Sequence, residues 1–233
     1  MMIDTAFDAY SDTPAGRDPD SHSPTLRRYH QMLWSKPLPD GSQFTLSTEH
    51  PKAYLHHKSP RGEFLLSSDG IGHTYRYVKA MASIIEEIPK EELDQFFSIC
   101  STVGAYVIFP SQKIDGRPTI NGARGLHWQI RDRFDLTLEC IRRYYRDEES
   151  PLSATLARYS AFFELFGSFV GYADFFLFQD LVSNDGRAIN FFTPFQDFDS
   201  RPLWDTVEDY QLYKKRLIAF IAARNNRISG QTV

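Results

Sequence analysis

Apolar side chains recur three and four positions apart along much of the chain, the spacing that turns one face of a helix toward a core. After Ser23-Pro24, a capping side chain followed by Pro at a first helical position, the stripe is Leu26, Tyr29, His30 and Leu33, and Pro37 and Pro39 stop it. The same spacing predicts helices over 75–88, ended by Pro89, and over 91–101, where Leu93, Phe96, Phe97 and Cys100 share a side. The cleanest stripe is Ile130, Phe134, Leu138, Ile141 and Tyr145, opposed by Arg131, Asp132, Asp135, Glu139, Arg142 and Arg143. Arg131–Asp135 and Glu139–Arg143 are spaced as i,i+4 pairs on the solvent side. Ser150-Pro151 opens a helix through Phe166, and another is expected over 172–182. Asp205 and Glu208 stand at capping-box spacing before a last stripe of Tyr210, Tyr213, Leu217, Phe220 and Ile221.

Strand signals are shorter. Segments 44–47, 53–57 and 63–67 alternate in part and are punctuated by Gly41, Pro51 and Pro60-Arg61-Gly62, the last reading as a hairpin turn. The run Ala105-Tyr106-Val107-Ile108-Phe109 is continuously apolar, as in a central strand covered on both faces. A late strand is expected over 188–192, after a turn at Asn184-Asp185-Gly186. Strands gather in the first half and helices in the second, which predicts an α+β fold. The expectation is one domain over 23–228, a small mixed sheet from the N-terminal half packed against several C-terminal helices. A polar segment, 1–22, precedes it, with Phe7 and Tyr10 able to pin it to the body, and a tail, 229–233, follows.

Composition narrows the classes. Hydrophobic residues make up 42% and charged residues 24% of 233, a globular balance. With 19 Phe, 12 Tyr and 3 Trp, an aromatic core is expected. A net charge of −4 leaves no chain-wide basic field for nucleic acid or an anionic membrane. Cys100 and Cys140 have neither zinc nor redox spacing and read as reduced thiols of a cytoplasmic protein. The apolar stretch 162–182 is broken by Glu164, Asp174 and Asp180 and reads as buried helices, not a membrane span.

No segment carries a specific catalytic or cofactor motif, so reaction and cofactor stay unassigned. The candidate ligand-binding residues are Asn121, Arg124 and His127, in the Gly-containing stretch 119–127 of the long connection 111–128. Long connections of this kind are often functional, glycines let backbone approach a ligand, and Asn, Arg and His donate well to anions. The stretch also leads into a helix N-terminus, though it has no GK[ST] of a phosphate loop. Asp12, Asp18, Asp20 and His22 could attract a hard cation, but their register fits no EF-hand, and no metal ligands are assigned. His50, His56 and His57 surround a strand, where His56 and His57 must face opposite ways. Lys214, Lys215, Arg216, Arg224 and Arg227 form a C-terminal basic run, suited to nucleic acid, to an acidic partner or to the helix dipole.

Three stretches together resemble a known family: 18–41 (DPDSHSPTLRRYHQMLWSKPLPDG), 119–145 (TINGARGLHWQIRDRFDLTLECIRRYY), and 171–182 (GYADFFLFQDLV) with the closing ARNNRI of 223–228. The chain is similar over nearly its whole length to a bacterial family catalogued as domain of unknown function 6994. The resemblance implies a one-domain protein and no activity. Where the family tends to carry His in its RRHY run, this chain has Tyr144, which puts any His chemistry there in doubt. The expectation is a cytoplasmic protein that binds an anionic small molecule or nucleotide in a polar cleft beside 119–127. The alternative is a protein-interaction module of a bacterial defence or mobile-element system, without catalysis.

Overall fold

In the computed structural model the described residues are 2–183 and 185–230, so the turn expected at Asn184 lies in part outside them. Along the chain the helices are α1 (Pro19–His22), α2 (Pro24–Trp34), α3 (Ala82–Glu86), α4 (Lys90–Cys100), α5 (Ile120–Leu126), α6 (Phe134–Tyr144), α7 (Ser153–Ala157), α8 (Ser160–Glu164), α9 (Phe169–Phe175) and α10 (Val207–Ser229). The strands are β1 (Lys36–Pro37), β2 (Gln43–Phe44), β3 (Leu55–Ser59), β4 (Gly62–Gly70) and β5 (Tyr106–Pro110). They form a two-stranded β1-β2 pair and a three-stranded sheet in the order β3-β4-β5, with Leu66 opposite both Leu55 and Pro110. The fold is α+β as expected, but all pairing among these strands is antiparallel rather than mixed. The apolar run β5 is buried at every residue yet lies at the end of the strand order, not at its centre. Helix α10 packs against the turn that leads into it: the buried Arg224 donates to the carbonyls of Gly104 (2.8 Å), Tyr106 (2.6 Å) and Phe176 (3.0 Å). Gly104 lies so close to this helix that a Cβ there would stand 2.4 Å from Asn225 Oδ1.

Aromatic rings fill the core, as composition suggested. Trp34, Phe44, Phe166, Phe175 and Phe176 form one continuous cluster, with centroid separations such as 5.2 Å for Trp34–Phe176 and 5.1 Å for Phe166–Phe175. Such pairs each contribute about 0.5–1.5 kcal/mol beyond the area they bury. No described helix is long and apolar enough to cross a membrane.

Several elements start or stop where the apolar period alone does not put them. Tyr75 has a φ of 57°, so the helix expected from 75 begins only after a 3₁₀ turn, Lys79–Met81. Arg131 and Asp132, at φ 48° and 65°, hold back α6 until Phe134. The Arg131–Asp135 pair therefore does not form. Asp135 turns inward to Arg133 at 2.6 Å, whereas Glu139–Arg143 forms at 2.8 Å. Asp135, Glu139 and Arg142 are all buried, so the face expected to meet solvent is packed. The helix expected through Phe166 divides into α7 and α8, and the one expected to Val182 ends where Leu177 takes a φ of 61°. The late strand reduces to one bridge, Val182–Ile189. The capping box sits one residue later than read: Thr206 Oγ1 accepts from Asp209 N at 3.1 Å. The N-terminal segment is docked, with Ala9 N donating to Ser101 O at 3.0 Å, Phe7 against Tyr29 and Tyr10 against Phe97.

Candidate functional site

The stretch 119–127 is not an open loop. Thr119 caps α5 by accepting from Gly122 N, and Asn121 and Arg124, three residues apart, both reach toward the end of β4. Asn121 Nδ2 donates to Ser68 O at 3.1 Å. Arg124 is fully buried, and its donors are consumed: NH1 meets Asp69 Oδ2 (2.6 Å) and Gly70 O (3.1 Å), NH2 meets Asp132 O (2.9 Å), and Nε meets Thr137 Oγ1 (3.1 Å). Asp132 Oδ1 adds a second carboxylate at 3.0 Å. Opening such a buried pair by removing one partner costs roughly 3–5 kcal/mol, so Arg124 is not free to clamp an anion. His127 lies past the helix end, partly exposed, its Nδ1 accepting from Gln129 N at 3.3 Å. Asn121 and Arg124 thus form a structural tie between α5, β4 and the start of α6, while His127 turns to Gln129.

The tie backs onto a cavity of about 390 Å³, within the range of small-molecule sites. Its walls bring together Asp18 and Asp20 from the N-terminal segment, His73, Tyr75 and Arg76 from the stretch after β4, and Arg131 and Asp132 from the stretch before α6. Tyr10, Phe97 and Tyr106 supply aromatic walls. Asp18 reaches this wall because it caps α1, accepting from Asp20 N. The remaining members of that run serve elsewhere: Asp12 accepts from Ser23 Oγ (2.6 Å) and Thr25 N (2.9 Å), and His22 Nδ1 rests against Asp18 O (3.0 Å). Tyr75, Arg131 and Asp132 all have left-handed backbone, a conformation that costs non-glycine residues of order 1–3 kcal/mol and gathers at functional sites. The Tyr75 hydroxyl, donating to Arg131 O at 3.0 Å, ties two of them together.

Charge is unevenly balanced here. Asp20 and Asp69 are both held above the ordinary carboxylate range, first by burial; Asp69 and Asp18 add to the rise at Asp20, and Arg124 opposes it at both. Three side-chain atoms on the cavity wall are closed to solvent and lack a hydrogen-bond partner among the described residues: Asp20 Oδ1, His73 Nε2 and Arg76 Nε. His73 Nε2 stands 3.4 Å from Asp132 Oδ2 without the geometry of a hydrogen bond. The Arg76 guanidinium lies over Phe97, 4.4 Å from its centroid, and 3.5 Å from Asp94 Oδ1. Buried polar atoms left unpaired are scarce in folded proteins, and each calls for a partner such as a ligand or water. Sequence reasoning passed over Asp69, His73, Arg76 and Asp132 as a group, since no motif marks the first three and nothing in the sequence joins them to the distant Asp132.

The remaining candidates separate. His57 is buried against Phe44 (4.1 Å between centroids), while His56 faces outward, as strand alternation requires. The basic run is dispersed: Lys214 pairs with Glu92, Arg216 donates to Phe191 O, Arg227 pairs with Asp180, and Arg224 is interior. Both cysteines are free and buried, and burial pushes the Cys140 thiol up to about 12, so neither is primed as a thiolate nucleophile. No curated protein and no solved structure matches the chain. Residues 3–228 match the model of the family of unknown function DUF6994, and the chain belongs to that family.

Proposed function

We propose that the cavity between Asp20, His73 and Arg76 binds a small zwitterionic molecule of the amino-acid class. The carrying observation is that three residues lining the cavity each hold an unpaired, buried polar atom, an acceptor at Asp20 Oδ1 and a donor at Arg76 Nε among them. An ammonium group would meet Asp20 and relieve the repulsion among Asp18, Asp20 and Asp69. A carboxylate would meet Arg76, and His73 would take the hydrogen bond that its neighbours leave open. Tyr10, Tyr75 and Phe97 would flank the aliphatic part. A purely anionic ligand, as expected from Asn121, Arg124 and His127, fits less well, because Arg124 is already neutralised by Asp69 and Asp132. A cytoplasmic bacterial setting belongs to this reading, supported by two free buried thiols.

Thermal denaturation and calorimetry with amino acids, simple diamines and nucleoside triphosphates test it. Amino acids should raise Tm, and both Asp20→Asn and Arg76→Gln should weaken their binding at least about tenfold, the scale of one charge-assisted hydrogen bond. Stabilisation by nucleotides alone, or by none of the panel, would overturn the proposal.

A protein-binding role is the second reading, favoured by Leu126 and Trp128, which are 78% and 60% exposed beside the end of α5. Exposed large apolar side chains grouped in this way suit a partner surface.

A further inference from the structure

We infer that His50, His56 and Glu63 form a binding site for a divalent transition cation of the Zn²⁺ type, on the β3–β4 hairpin and apart from the cavity. One ligand atom from each of the three lies within 4.8 Å of the other two. Two imidazoles and a carboxylate suit such a borderline cation, and three protein ligands leave a position open for water.

The backbone explains why they meet. His56 pairs with Leu65 and Glu63 with Lys58, so His56 and Glu63 are diagonal neighbours on one face of the hairpin. Their side chains already touch, Nε2 to Oε1 at 2.8 Å. His50 arrives from the preceding loop, which folds back because Ser47 and His56 exchange both backbone hydrogen bonds, at 2.8 and 2.9 Å. The two rings lie 4.6 Å apart between centroids. Arg27 then fastens that loop from inside, donating to the carbonyls of Thr48, Ala53 and Tyr54. A loop fixed on both sides of His50 needs little ordering on binding, which is what a compact ligand set requires. The cation would take the place of the His56–Glu63 hydrogen bond, and Lys58, 3.7 Å from Glu63 and well exposed, can swing away. No ligands were assigned from sequence because Glu63 stands beyond the hairpin turn, outside the histidine run.

Calorimetric titration of the full chain with ZnCl₂ tests the inference, alongside Co²⁺ absorption as a readout of the ligand set. One Zn²⁺ per chain is expected, with affinity falling toward acid as protons compete for the ligands. His50→Ala and Glu63→Gln should each weaken binding by about tenfold or more while leaving the far-UV circular dichroism unchanged. Asp20→Asn should leave the affinity as it is. Absence of saturable binding, or binding that survives His50→Ala and Glu63→Gln or disappears in Asp20→Asn, would overturn the inference.

Discussion

His30 and Asp20 illustrate two opposite ways of burying a titratable group. His30 is interior and fully paired: its Nδ1 accepts from Trp34 Nε1 at 3.0 Å, which leaves Nε2–H to donate to Ser68 Oγ at 2.9 Å. Burial, with the Arg224 charge beside it, drives its pKa down to about 3, so the ring is a neutral structural link. Asp20 has no such partner at Oδ1, and its pKa is raised. A raised carboxyl favours the fold below its unfolded pKa, and that contribution is lost as pH rises through the folded value. At neutral pH, above the unfolded value, the buried Asp20 carboxyl therefore costs stability. Asp20→Asn should melt higher than wild type at pH 7, by roughly 2–4 °C for each kcal/mol relieved, and the gain should shrink as pH falls toward 4. A variant that melts lower at pH 7 would show that Asp20 is satisfied in the folded chain. Stability gained together with weakened amino-acid binding is the trade-off expected of a residue kept for its ligand.

Among the elements, α2, α4 and β5 were legible because one signal decides each of them. Ser23-Pro24, the stripe to Leu33 and the apolar run at 105–109 read directly from the chain. The start of α6 was not legible. Its apolar period begins at Ile130, yet the backbone turns left-handed at Arg131 and Asp132 so that Asp132 can reach Arg124 and His73. Tertiary pairing overrides the local period there, and periodicity carries no trace of it. The candidate site was half legible for the same reason. Asp18 and Asp20 stood out as acids, but their companions Asp69, His73 and Asp132 join only through the fold. The left-handed turn also sets an expectation: Arg131→Gly removes the Cβ penalty at φ 48° and should stabilise by about 1 kcal/mol. Chemical denaturation would register a higher midpoint, and a lower one would mean that the Arg131 side chain contributes more than its backbone costs.

For the molecule as a whole, both ends of the chain close on its middle. Ala9 binds Ser101, and Asn225 Oδ1 accepts from Gly104 N at 2.8 Å. Tyr210 donates to Thr74 O at 2.7 Å, and Tyr213 to His73 O at 3.1 Å. The segment 2–22 is thus part of the folded body rather than an appendage. Deleting residues 2–22 strips Ile3 and Ala9 from the core and both acids from the cavity. The truncated chain should lose amino-acid binding and melt several degrees lower, as for the loss of about 2 kcal/mol or more of buried apolar contact. An unchanged melting temperature would mean that the segment's contacts contribute nothing. The reach of α10 to His73 and Thr74 has a temporal corollary. During translation the 73–74 wall lacks its brace until Tyr210 and Tyr213 have left the ribosome, so a nascent chain stopped short of α10 leaves that wall unsupported.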